Sequence, residues 1–175
     1  MIWMMRKNLA GFLVVLLVLA LLLSSYSLWN CRKDEESLLK ALYLYGLKDA
    51  RELSDVGGTF DYLLRENASD NLIVTYAHAY SIRAEHLQDT FGLLQAYTDD
   101  ERFQLMFSAM SNYHLFLQVV SFSNSTTRKV LIGKNLETLK ELDNLMKNVT
   151  KYQSPNDLPE ELVEEILHTS EELEV

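Results

Sequence analysis

Four histidines, one cysteine and a large set of carboxylates are the residues of this 175-residue chain whose types could do chemistry. His78 and His86 share one stretch with Glu85 and Asp89. On a helix, His78, Glu85 and Asp89 fall within about 40° of one another, on a face roughly 120–160° from the apolar stripe that begins at Ile73. A metal held there would need ligands from another chain, so the spacing reads as a solvated face. Glu165-Ile166-Leu167-His168 has the Glu-x-x-His spacing of carboxylate-bridged dimetal bundles. Such a centre needs the motif twice and two more buried glutamates, and the chain has no second copy. There is no His-Glu-x-x-His, no glycine-rich phosphate loop and no Gly-x-Ser-x-Gly elbow. No catalytic residue, metal or cofactor is expected.

Three polar groups are placed to meet a ligand. Arg83 flanks the Ile73 stripe, while Tyr113 and His114 lie on and beside the apolar face of the next helix; together they are the candidate pocket. Asn67, Asn124 and Asn148 each begin an Asn-x-Ser/Thr triplet, the acceptor pattern for N-glycosylation. Cys31 is the only thiol, which excludes an intrachain disulfide and makes it the candidate for a bond between two copies.

The elements that must position these groups begin with an apolar run. Leu9–Leu23 carries no charge, and Leu9 to Trp29 spans 21 residues, or about 31 Å of helix against a hydrocarbon core of about 30 Å. This predicts a transmembrane signal-anchor over residues 9–29. Arg6 and Lys7 would hold residues 1–8 in the cytoplasm as a tail, leaving the rest of a single-pass protein extracytoplasmic. The alternative is cleavage near Ser27 and secretion.

Beyond the run the charge balance is acidic, with 14 basic against 25 acidic residues. That excludes nucleic acid, whose phosphates demand a basic footprint. Only six glycines and two prolines are present, which favours helices over turn-rich sheet. Ile73, Ala77, Tyr80, Ala84, Leu87, Phe91 and Leu94 recur at spacing 4-3-4-3-4-3 and predict one long helix over 72–97. Phe103, Met106, Phe107, Met110, Tyr113, Leu117 and Val120 predict a second, with a turn at Thr98-Asp99-Asp100. Ile132, Leu136, Leu139, Leu142, Met146 and Val149 predict a third, from about 126 to 152. Arg51–Asn67 reads as a helix broken at Gly57-Gly58. Asp34 or Ser37 could cap a helix leaving the membrane, or that helix could continue unbroken. Asp70 and Asp157 are further expected caps, the latter in an Asp-Leu-Pro-Glu capping box.

The fold class that follows is all-α: a membrane helix, then an antiparallel bundle of four or more helices over residues 30–154. An acidic C-terminal helix over 155–175 would pack on the bundle or on a partner. The functional expectation is a membrane-anchored interaction or structural subunit of a membrane-associated complex. Its partners would be the bilayer through residues 9–29, a membrane or extracytoplasmic protein, and a second copy. A ligand-sensing bundle that signals through a membrane partner is the alternative, and an enzyme of unknown class the second alternative.

Overall fold

The computed structural model describes residues 16–175 in full and the helical backbone from Ile2. Every regular element among the described residues is helical: α1 (Ile2–Leu53), α2 (Val56–Arg65), α3 (Asp70–Thr98), α4 (Glu101–Phe122), α5 (Ser125–Lys134), α6 (Leu136–Val149), a 3-10 turn (Pro155–Asp157) and α7 (Glu160–Glu171). The chain divides into two compact units, Met1–Leu39 and Lys40–Val175.

Among the described residues no helix is long and apolar enough to cross a membrane. This corrects the transmembrane helix expected over residues 9–29. Within the described residues the apolar run ends at Leu23. Ser24, Ser25, Ser27 and Asn30 then place polar groups around the whole circumference before Arg32. Residues 1–15, including the expected cytoplasmic tail and the first part of the expected anchor, lie outside the fully described residues. The dependent expectations are corrected with the anchor: the bilayer as a partner, the membrane-associated complex, the anchored dimer and the single-pass placement. Secretion after cleavage near Ser27 rested on the same run, and Ser27 lies inside the continuous helix α1.

That first unit is helix alone, and its apolar side chains Leu17, Leu21, Leu22, Leu23, Leu28 and Trp29 are exposed. The Lys33 ammonium sits 5.6 Å from the Trp29 ring centroid one turn away. Cys31 is exposed.

The second unit is the bundle. α3 and α4 pack along their lengths, and α7 lies on α4 and α6. Asp99 closes α3 in the left-handed conformation (φ 55°), and its N–H donates to the Gln95 carbonyl. Asp100 opens α4 by accepting from the Arg102 N–H at 3.0 Å. The reversal therefore takes only two residues. The α3 stripe is buried at Ile73, Ala77, Ala84, Leu87, Phe91 and Leu94, while Tyr80 is half exposed. From α4, Phe103, Met106, Met110, Tyr113, Phe116, Leu117 and Val120 meet them, and Phe107 stays at the surface.

Three local readings change. α3 is capped by Ser69, whose hydroxyl accepts from the Leu72 N–H, with Asp70 in the first turn. The helix expected over 126–152 is two helices that break at Asn135. The buried Asn135 side chain donates to the Leu131 and Glu174 carbonyls and accepts from the Glu174 N–H, so it latches the C-terminal segment where the helices part. Asp157 lies in the 3-10 turn, and Pro159 opens α7.

Arg128 makes a second buried knot. Its guanidinium donates to the Val120, Ser121 and Ser123 carbonyls and to Asp70. The otherwise unpaired end of α4 is thereby tied to the start of α3.

Candidate functional site

The break between α1 and α2 borders an open recess in the bundle. It falls at Ser54-Asp55, just ahead of the two glycines, which occupy the first turn of α2. Asp55 stands at the N-cap position, where a carboxylate ordinarily accepts from the second or third helical N–H. Those two N–H groups are taken by a residue 85 or 86 positions away. Gly57 donates to Asp143 Oδ1 at 3.1 Å and Gly58 to Asp143 Oδ2 at 3.0 Å. Glycine permits this approach: a Cβ on Gly57 would lie 2.6 Å from the Lys140 nitrogen and 2.7 Å from the Leu139 carbonyl carbon, both backbone atoms of α6. Burial raises the Asp143 pKa from its ordinary value, against the pull of the backbone N–H donors.

Asp55 is left without a side-chain cap bond. It faces a trough with two adjoining compartments. One, of about 540 Å³, is lined by Arg51, Glu52, Asp55, Tyr76, Ala79, Tyr80, Ile82 and Arg83. The other, of about 430 Å³, is lined by Asp55, Gly58, Thr59, Tyr62, Leu63, Leu72 and Tyr76. Asp55 and Tyr76 belong to both, so the compartments run into one another. Helical spacing builds the walls. Asp55, Thr59 and Tyr62 recur at i, i+4 and i+7 along α2, and Leu72, Tyr76, Tyr80 and Arg83 recur at i, i+4, i+8 and i+11 on α3.

The trough's aromatic wall is fixed at its base and free at its rim. The Tyr76 and Tyr80 ring centroids are 6.0 Å apart, and Tyr80 stands edge-on to buried Phe60 at 6.1 Å. The Tyr80 and Thr59 hydroxyls hydrogen-bond at 2.9 Å. Burial pushes the Tyr80 phenol pKa up, and the Thr59 bond opposes it. Tyr62 and Tyr76 are exposed, at 61% and 39%. Arg83 is held by two carboxylates from α1, buried Asp49 at 3.2 Å and Glu52 at 2.6 Å. Among the described residues that line the trough, Arg51 and Asp55 are the charges with no ion pair.

Arg83, Tyr113 and His114 are not brought together. Arg83 lines the trough. His114 lines a separate cleft of about 70 Å³ with His78, Ser81, Glu85 and Gln118. Its Nδ1 lies 2.9 Å from the Ser81 carbonyl, which can only accept, so Nδ1 carries the proton. Tyr113 is fully buried, its hydroxyl has no partner, and burial raises its phenol pKa well above the ordinary value.

His86 and Asp89 are exposed on α3, and Glu165 and His168 on α7. Among the described residues, no three His, Cys, Asp or Glu side chains are grouped as metal ligands. Asn67 is exposed in the left-handed turn after α2 (φ 49°). Asn124 caps α5 by accepting from the Thr127 N–H at 3.0 Å. Asn148 accepts from the Lys151 ammonium at 2.6 Å.

The sequence does not mark Asp55, Tyr62 or Tyr76 as site residues, and it places Tyr80 only in the apolar stripe. The legible signal was their helical spacing. The missing one was Asp143, because only the fold reveals that another residue has taken over the cap. The described residues form an all-α bundle with an open, tyrosine-walled trough. A scan against protein-family models and searches of curated proteins and solved structures return no match.

Proposed function

We propose that the bundle is a binding module that holds a segment of a partner protein along the trough between α2 and α3. The observation that carries this reading is the pair of joined compartments, walled by Tyr62, Tyr76 and Tyr80, with one unpaired charge of each sign. Tyrosines supply rigid contact area at low entropic cost and are enriched where proteins meet. An open, elongated recess suits an extended segment better than an enclosed small molecule. Residues 40–175 carry 12 basic and 22 acidic side chains, a formal charge of −10. That field favours a basic partner and speeds its encounter. The trough lacks a paired nucleophile and base, so binding rather than catalysis is the reading its chemistry supports.

The test is selection from a random peptide display library on the full chain, with counter-selection on a Tyr62→Ala/Tyr76→Ala variant. Recovered peptides should be basic and should bind the double variant at least about tenfold more weakly, the loss typical of removing an aromatic anchor. Peptides that bind both proteins equally would place the binding face elsewhere.

A further inference from the structure

We infer that the Asp55 end of the trough is a subsite for a lysine side chain, with its aliphatic stem along Leu63, Leu72 and the tyrosine rings and its ammonium at the Asp55 carboxylate. The inference deepens the trough reading and rests on it. Four observations lead there. Asp55 is free of its usual task, because Asp143 already holds the Gly57 and Gly58 N–H groups. Nearby cations are committed elsewhere: Arg83 to Asp49 and Glu52, and Arg65 and Lys140 to Asp61. Arg51, the one unpaired guanidinium of the trough, lines the other compartment and not this one. The remaining lining is apolar or aromatic, from Gly58, Leu63, Leu72, Tyr62 and Tyr76, beside the Thr59 hydroxyl that is paired with Tyr80.

That lining matches lysine part by part. The four-carbon stem covers apolar surface while its charged head stays near water. Tyrosine faces attract a cation through their quadrupole, and the carboxylate adds a charge-assisted hydrogen bond. The subsite offers a single carboxylate, Asp55, beside an apolar lining, which a compact ammonium on a four-carbon stem satisfies. The bundle's own acidic balance favours the approach of such a group.

The test needs no knowledge of the partner. Tyrosine-ring and backbone NMR signals of the full chain are followed while N-acetyl-lysine methylamide is added, and again with the norleucine derivative, which keeps the stem and lacks the charge. The lysine compound should shift the Tyr62 and Tyr76 rings saturably. Norleucine should require about tenfold more, and Asp55→Asn should make the two compounds equivalent. Equal binding of both by the wild-type protein, lysine shifts unchanged in Asp55→Asn, or no saturable shift of these rings would each overturn the subsite. The broader reading fails separately. Tyr76-dependent peptides recovered alongside indistinguishable lysine and norleucine titrations would keep the trough and remove the lysine site. Lysine binding with no Tyr76-dependent peptide would keep the subsite and remove the segment.

Discussion

Helix α2 has two sides that solve opposite problems. Toward α6 it is closed. Gly57 lets the backbones nearly touch, and the buried Asp143 carboxylate accepts both first-turn N–H groups. Toward α3 it is open, and Asp55, Tyr62 and Tyr76 stand at the rim of a trough. The two carboxylates have divided a single job. A residue from a distant helix takes the cap, and the local one is left with charge to spare. A site can therefore arise without a dedicated motif, because tight packing on one face releases a side chain on the other.

The sharpest way to break this contrast is Gly57→Ala. The added methyl would meet α6 backbone atoms that cannot rotate away. The expected loss is about 3 kcal/mol by urea denaturation, at the upper end of overpacking effects. A loss below about 1 kcal/mol would show that α2 and α6 can separate and that the closed side is not closed.

Asp143→Ala comes next. It leaves the buried Gly57 N–H without its acceptor, at a cost of about 2 kcal/mol. Asp55 could then swing into the empty cap. Adding Asp55→Ala in that background should cost about 1 kcal/mol more, the usual value of an N-cap, against under about 0.5 kcal/mol in the wild type. Additive losses would mean that Asp55 and Asp143 never compete for the same N–H groups.

A pH series sharpens the same point. Burial raises the Asp143 pKa, so the folded protein holds that proton more tightly than the unfolded chain does. The contribution is fullest below the ordinary carboxylate pKa and is lost as pH rises through the raised one. The cost of Asp143→Asn should therefore be larger near pH 4 than near pH 7, compared by urea denaturation at about those two values. A cost that grows with pH would show that the N–H donors outweigh burial. Asp70 and Asp100 act in the opposite sense. Their pKa values are held down, Asp70 chiefly by Arg128 and Asp100 chiefly by Arg102, so their contribution is lost as pH falls.

The smallest effect belongs to the rim. Tyr76→Ala removes a partly exposed ring and should change stability by less than about 1 kcal/mol. Matched thermal melts of wild type and variant would measure it. A larger loss would make Tyr76 a core residue and weaken its assignment to binding.

Local chemistry carried much of the helical framework into the sequence. The 4-3 spacing from Ile73 to Leu94 and the paired aspartates at 99 and 100 are enough to define α3, its turn and the start of α4, because periodicity and caps act within a few residues. At the N-terminus run length alone misleads: no helix among the described residues is long and apolar enough to cross a membrane. The break at Asn135 is also illegible locally, because nothing nearby signals that the C-terminal segment returns to hydrogen-bond with that side chain.

By itself the sequence determined an all-α bundle, its acidic balance and the hairpin of α3 and α4. Only the tertiary structure decided which carboxylate caps α2, that Arg83 and His114 serve separate recesses, and that Asp55 is free. Those outcomes depend on contacts between residues 30 to 90 positions apart. Spacing along the chain cannot encode them, since they form only when the helices meet.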